Sequence, residues 1–371
     1  VALALAVCAA SAQIAVSTND GKLVLVDGNQ IVPAHPAPDT ATVIDLGRTP
    51  PRVLGEVNVP TSVIGPPESV AISPDQSFGL VTAATKIDPA DPTKTTSDDT
   101  LSVIDLKSSS PSLIQTLHAG LGATGVSINR AGTLALVANR DEGTVSIFTI
   151  AGRTLAPAGK LALDPKSGPS HVVFTPDGSK ALLTRDGDSK ISVLAIDGTT
   201  VTDTGNDIYA GIRPYGIEMG VKGDIAVVAN IGKGGNDDDT VSIIDLSATP
   251  IRVVNTVTVG PTPEGIALSA DGGFLAVSVI NGSTKAKGAP GFHDYGMAKV
   301  YRRHGFALTY VAGAKTGHWC EGAAWSKNHR TLLVQCMVEK RIFVYSFDGK
   351  SLKRSGAIEV RGGPAGMRVA E

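Results

Sequence analysis

Residues 168–197, GPSHVVFTPDGSKALLTRDGDSKISVLAID, carry the pattern that most constrains this chain. His171–Thr175 is a short apolar run rich in β-branched residues. Pro176-Asp177-Gly178 supplies a tight turn, Pro setting φ and Gly being free to take positive φ. Lys180–Thr184 reads as the returning strand, and Lys190–Ile196 alternates again with period two. This is a β-meander, and a single meander leaves both faces of its sheet uncovered. It has to recur and stack.

Further copies begin near Glu68, Thr124, Ser170, Tyr215, Glu264, Glu321 and Ala365, at spacings of 56, 46, 45, 49, 57 and 44 residues. That period suits a four-stranded propeller blade with loop insertions. The turn slot reads Ser73-Pro-Asp-Gln, Asn129-Arg-Ala-Gly, Thr175-Pro-Asp-Gly, Ser269-Ala-Asp-Gly and Ser326-Lys-Asn-His. The third-strand slot reads TVIDL (42–46), LSVIDL (101–106), TVSIFTI (144–150), ISVLAID (191–197), TVSIIDL (240–246) and IFVYSFD (342–348). The expectation is all-β: one seven-bladed propeller over 13–371, its ring closed by the N- and C-terminal strands. Blades are expected at about 13–60, 67–118, 123–162, 169–209, 214–259, 263–312 and 320–360, with a closing strand at 362–370. In blade 1 the expected strands are Ile14–Ser17, Lys22–Val26, Thr42–Leu46 and Val53–Val57. The tail either pairs beside Ile14–Ser17 or displaces it. Long insertions at Gly28–Asp39, Thr85–Asp99 and Asn281–Met297 fall between second and third strands, on the face where the chain enters each first strand.

The phrases GPSHVVFTPDG, GTVSIFTI and TPEGIALSADGGFLAV resemble the YVTN-repeat propellers, grouped with lactonase-like and YncE-like proteins. The resemblance covers the chain from about Gln13. Such propellers include muconate-lactonising enzymes, phosphogluconolactonase-like proteins and exported members without enzymatic role. Their catalytic members use His, Glu and Arg side chains in the central mouth. No contiguous catalytic motif matches here residue by residue, so the resemblance implies a lactonase-like activity only at the level of the family.

A net charge of −2, with no basic stripe, argues against nucleic acid as a partner, and none is expected. An aromatic content of 4% argues against a stacking surface for bases or sugars. Residues 1–12, VALALAVCAASA, resemble the apolar core and A-x-A end of a secretory signal peptide, with an N-terminal strand as the other reading. No stretch is long enough to span a bilayer. The expectation is a periplasmic or secreted monomer that meets a small-molecule ligand or a periplasmic protein, without a cofactor. Export leaves Cys320 and Cys336, equidistant from the turn residue Asn328 and hence opposed across a hairpin. A disulfide, two buried thiols, or a thiolate with His318 as its base all fit that placement.

Loops entering each first strand bring Glu68, His171, Arg213, Tyr215, Glu264, His318 and Glu321 to one end of the channel. Loops after each second strand bring Asn139, Arg140, Arg185, Asp186, Asn230 and Asn281. Lactone chemistry needs an acid or base and a cation for the developing oxyanion. His171, Glu264 and Glu321 are the catalytic candidates, and Glu68, Arg185, Arg213, Tyr215 and His318 the ligand-binding ones. The three glutamates share a repeat position and should converge, with Arg185 and Arg213 between them. Asn139, Asn230, Asn281 and Glu264 offer oxygen ligands for calcium, but asparagine is also the natural residue of a left-handed turn, so no metal is expected. His293, Asp294 and Tyr295 form a possible flap over the mouth. No P-loop, dinucleotide-binding glycine signature, serine nucleophile elbow, HExxH or CxxCH is present.

Overall fold

The structure is a computed structural model that describes residues 13–370. The segment read as a signal peptide, 1–12, lies outside the described residues. Seven four-stranded antiparallel sheets surround one axis. Blade 4, the template repeat, pairs Pro169–Phe174, Lys180–Arg185, Lys190–Asp197 and Thr200–Ile208 in sequence order, from the axis outward. Blades 2, 3, 5, 6 and 7 repeat this order, with inner strands Val70–Ile72, Ala123–Ile128, Pro214–Met219, Pro263–Leu268 and Cys320–Trp325. Among the described residues no helix is long and apolar enough to cross a membrane.

Blade 1 departs from its expected strands. Gly363–Val369 takes the innermost place and pairs with Ile14–Asp20, which becomes the second strand beside Thr40–Asp45 and Arg52–Asn58. The two ends of the chain therefore close the ring by pairing with each other, and no terminal edge is left open. Lys22–Val26, expected as a blade strand, instead leaves the sheet. Val24–Val26 pairs only with Asn29–Ile31 in a separate hairpin. A buried knot turns the chain out: the Lys22 ammonium donates to Asp20 (3.1 Å) and Asp39 (2.9 Å), and Asp39 accepts from Gly21 N–H.

The core is a set of seams rather than a single centre. Seven apolar clusters occupy the seven junctions between neighbouring blades, for example Phe148, Leu80 and Leu101 between blades 2 and 3, or Trp325, Tyr345 and Phe347 between blades 6 and 7. Side chains on second strands tie each seam at its inner end. The Thr184 hydroxyl donates to Tyr215 C=O of the next blade (2.6 Å), Ser278 to Cys320 C=O (2.7 Å), and the Gln335 amide to Gly366 C=O (3.0 Å). The Ser/Thr-x-Asp/Asn turns all lie at the opposite end. There Ser73, Thr175, Ser269 and Ser326 hydroxyls bond Asp75, Asp177, Asp271 and Asn328 at 2.6–2.8 Å. That end is the lower face; the chain enters every inner strand from the upper one.

Cys320 and Cys336 face each other in register and form a disulfide, so the thiol readings are set aside. If closure holds the ring, a chain ending at Arg361 should lose cooperative unfolding. The milder Met367→Ala removes a buried side chain of the closing strand and should cost about 2–4 kcal/mol in urea melts. A truncated protein that melts like the parent would refute this role for the closing strand.

Candidate functional site

Inner strands leave room for little but backbone at the axis. A Cβ on Gly125 would stand 2.6 Å from His171 Cα, and one on Gly265 only 1.9 Å from Glu321 C=O. Side chains that do enter the channel therefore fill it in layers. Glu68 reaches from blade 2 across to blade 5, where a Cβ on Gly216 would meet its Oε1 at 2.6 Å. Below it an ion pair between Glu218 of blade 5 and Arg368 of blade 1 crosses the channel. Above it Glu264 and Glu321 stand on neighbouring blades.

Burial drives these carboxyls toward the neutral form. It pushes Glu68 up to about 8, with Arg368 opposing and the charges of Glu218 and Glu264 adding. It pushes Glu264 up to about 7 against the pull of the Arg213 and Arg140 guanidiniums, although Glu264 keeps some surface open to solvent. Glu321 goes well above the usual carboxylate range for the same reason, reinforced by Glu264 and opposed by the Trp319 side chain. Among the described residues neither Glu321 oxygen nor Glu68 Oε2 finds a hydrogen-bond partner of normal geometry. The three glutamates thus converge, as their shared repeat position implies.

The cations beside them are Arg213 and Arg140. Arg140 Nη2 (2.5 Å) and Arg213 Nη2 (3.0 Å) both donate to Asp186 Oδ2, whose Oδ1 accepts from the Ser170 hydroxyl. Arg140 also lies 5.6 Å from the centre of the buried Tyr215 ring. Arg185, expected here, turns outward along blade 4 to Ser192 (2.9 Å), Asp207 (3.2 Å) and Asp188. It ends its second strand and points to the third and fourth strands of its own sheet, so it does not join the glutamates. Arg140 fills the place foreseen for it. Arg140, Lys166, Arg213 and Lys233 border an open depression of about 620 Å³ on the upper face, with Asp141 and Asp186 as its acids.

Arg213 holds φ +55°, a left-handed value shared at this repeat position by Gly122 and Gly168 in blades 3 and 4 and by Thr262 and Trp319 in blades 6 and 7.

His171 lies lower and is fully buried. Its Nε2 faces Arg368 Nη2 (3.4 Å) and its Nδ1 faces Ile217 N–H (3.4 Å), so both nitrogens meet donors. Burial, with the Arg368 charge, holds it well below the ordinary imidazole value and therefore neutral. Its position is that of a strut between blades, away from the mouth. His318 sits at the mouth, bound to Asp294 and Glu339. Asn139 and Asn230 are spent on structure, donating to Thr144 and Ser146 and to Thr240 and Ser242. Among the described residues the one cluster of potential metal ligands is Cys320, Cys336 and Glu339, and its sulfurs are bonded to each other.

A family model described as lactonase, seven-bladed β-propeller, matches residues 126–285, a span that holds Arg140, Asp186, Arg213, Tyr215 and Glu264. Over that span the chain is similar to the lactonase-type propellers. No curated protein sequence matches the chain. Solved structures resemble this propeller along its length. A protein of Bacteroides uniformis provisionally assigned as a 6-phosphogluconolactonase is 18% identical, with a TM-score of 0.74 over 97% of this chain and 100% of its own. A protein of Bacteroides fragilis with the same provisional assignment is 16% identical, at 0.70 over 97% and 99%. The Pseudomonas aeruginosa periplasmic gluconolactonase is 17% identical, at 0.67 over 96% and 99%. At these identities the likeness is one of fold.

Two outcomes follow. Arg213→Gly should be more stable than Arg213→Ala by about 1 kcal/mol, because only glycine relieves the left-handed backbone; equal stabilities would remove the argument from strain. For Glu68, an unfolded carboxyl ionises near its ordinary value while the folded one resists up to about 8. Stability should therefore fall as pH rises between those values. Glu68→Gln should gain on the parent by on the order of 3 kcal/mol between pH ~5 and ~9. Parallel pH profiles in denaturant melts would show that Glu68 is not desolvated.

Proposed function

We propose that this chain hydrolyses a cyclic ester, taking an anionic ligand at the upper mouth. The observation that carries the reading is a carboxyl poised near neutrality, Glu264, faced by the Arg213 and Arg140 guanidiniums beside an open cationic depression. Arg213 and Arg140, already held by Asp186, bind the ligand's anionic group and the developing oxyanion. Glu264 as carboxylate takes a proton from water as the water oxygen attacks the lactone carbonyl. The ring C–O bond then breaks, and its oxygen takes the proton of neutral Glu321, leaving a hydroxy acid. Glu68 and Tyr215 line the site, His318 stands at its blade 7 edge, and His171 supports the channel from below.

The lactonase family match and the gluconolactonase-like folds support this chemistry, and the repeat phrases support a YVTN-type, YncE-like member. We further read the protein as an exported monomer, periplasmic or secreted. The disulfide supports export, since cytosolic thiols stay reduced.

The test is turnover of a panel of lactones by the purified protein, with and without chelator. Glu264→Gln should keep binding and lower kcat by about 10²–10⁴-fold. Arg213→Ala should chiefly weaken binding, by about tenfold. In the parent, rate should rise with pH until Glu264 is ionised near 7 and then level off. No turnover of any lactone, or variants that behave like the parent, would favour a non-enzymatic scaffold presenting its loop face to another protein.

A further inference from the structure

The insertion between the second and third strands of blade 6, residues 280–296, lies as a strap across the upper face. Its first part is tied to the mouth: Ser283 Oγ accepts from Trp319 N–H (3.1 Å), and Ile280 packs with Trp319, Leu23, Val63 and Met337. Its middle reaches sideways, Lys285 to Gly235 C=O of blade 5 (3.0 Å) and Lys287 N–H to Asp27 of the blade 1 hairpin (3.1 Å). Its end is anchored at Gly296, which donates to Gly317 C=O (2.7 Å) and accepts from Thr316 N–H (2.9 Å), while the turn at 292–295 is held from outside by the Lys315 ammonium on the Tyr295 ring and by His318. Asp294 Oδ1 meets His318 Nε2 at 2.9 Å, while His318 Nδ1 meets Glu339 Oε1 at 2.7 Å.

Both partners of that imidazole are carboxylates, which only accept. A neutral imidazole carries one N–H and can satisfy one of them; only the imidazolium donates to both. The two grips are unequal. Glu339 is also held by His318 backbone N–H, 3.0 Å from each of its oxygens, whereas the Asp294 side chain is 84% exposed. On loss of one proton, Nδ1–H stays with Glu339 and Asp294 is released.

We infer that His318 is a proton-operated latch: charged, it fastens the 292–295 turn of the strap to blade 7, and neutral, it lets that turn lift. Trp319 follows His318 directly and the channel carboxyl of Glu321 comes three residues after it, so lifting widens the mouth on that side. The charged groups around the ring fit the role. Glu339 faces it from the turn after the second strand of blade 7, and Asp294 from the strap. Lys315, on the fourth strand of blade 6, directs its ammonium onto the Tyr295 ring (3.9 Å), and His293 bonds Asn281 C=O within the strap. Burial lowers the His318 pKa, but the bonds and charges of Glu339 and Asp294 outweigh it and raise the balance above 6.5. A raised histidine pKa means the contact is complete on the acid side and is lost as pH climbs through the folded value. The strap is closed in acid and opens toward alkaline pH. This device does not depend on the lactone reading.

Amide hydrogen exchange of peptides covering 284–296 in the full chain, corrected for intrinsic rate, tests it. Between about pH 5.5 and 9 their protection should fall by about tenfold, while peptides from the blade 4 strands stay protected. Asp294→Ala, an exposed change that leaves the fold intact, should show the low protection at both pH values. His318→Gln should do likewise, and its parent's imidazole nitrogen signals should report the doubly protonated form at neutral pH. Protection that does not change with pH in the parent, or that still changes in Asp294→Ala as it does in the parent, overturns the latch.

Discussion

Seven inner strands can share one axis only where their backbones approach to contact, and the absence of a Cβ at one repeat position in five of the seven copies allows it. Gly125, Gly216, Gly265, Gly322 and Gly366 all follow the residue that opens their copy of the repeat. At Gly265 the neighbouring backbone oxygen lies where a methyl group would be. Everything else follows from that approach. Seams close because the inner strands are near enough for second-strand hydroxyls to reach the next blade, and the channel becomes too narrow for bulk water.

A narrow channel changes the chemistry of what enters it. Carboxyls that would ionise freely at a surface are stripped of solvent, and the cost of their charge appears as raised proton affinity. The layers differ in compensation. Glu218 has Arg368 across the axis, Glu264 has two guanidiniums at a distance, and Glu321 has the carboxyl of Glu264 adding to its desolvation. The carboxyls of one channel are thereby split into a paired charge, a group poised near neutrality and a neutral acid. Two arginines sharing the single carboxylate of Asp186 leave net positive charge at the rim, and that charge faces incoming ligand.

The upper face carries the chain's individuality. Its loops are long where the lower turns are short and alike, and they bind one another rather than the blades alone. The hairpin of blade 1, the strap of blade 6 and the loop of blade 5 form a chain of contacts beside the mouth. Such loop-to-loop bonds are few and partly exposed, so they open at lower cost than the seams beneath them.

Repeat spacing, turn chemistry and strand alternation determined the propeller, the number of blades, the opposed cysteines and the convergence of Glu68, Glu264 and Glu321, because each is a property of position within a regular unit. Which strand closes the ring was not so determined: Lys22–Val26 is as apolar as a blade strand, and only the pairing of Gly363–Val369 with Ile14–Asp20 displaced it. The same holds for the cations. Arg140 and Arg185 occupy like places after second strands, yet one turns to the channel and the other to Asp188 and Asp207. His171, one place after the glutamates' repeat position, entered from the same loops but sank among Arg368 and the backbone of blade 5. Side-chain direction, depth and charge pairing depend on neighbours from other blades, distant in the chain, and only the closed ring brings those neighbours within reach.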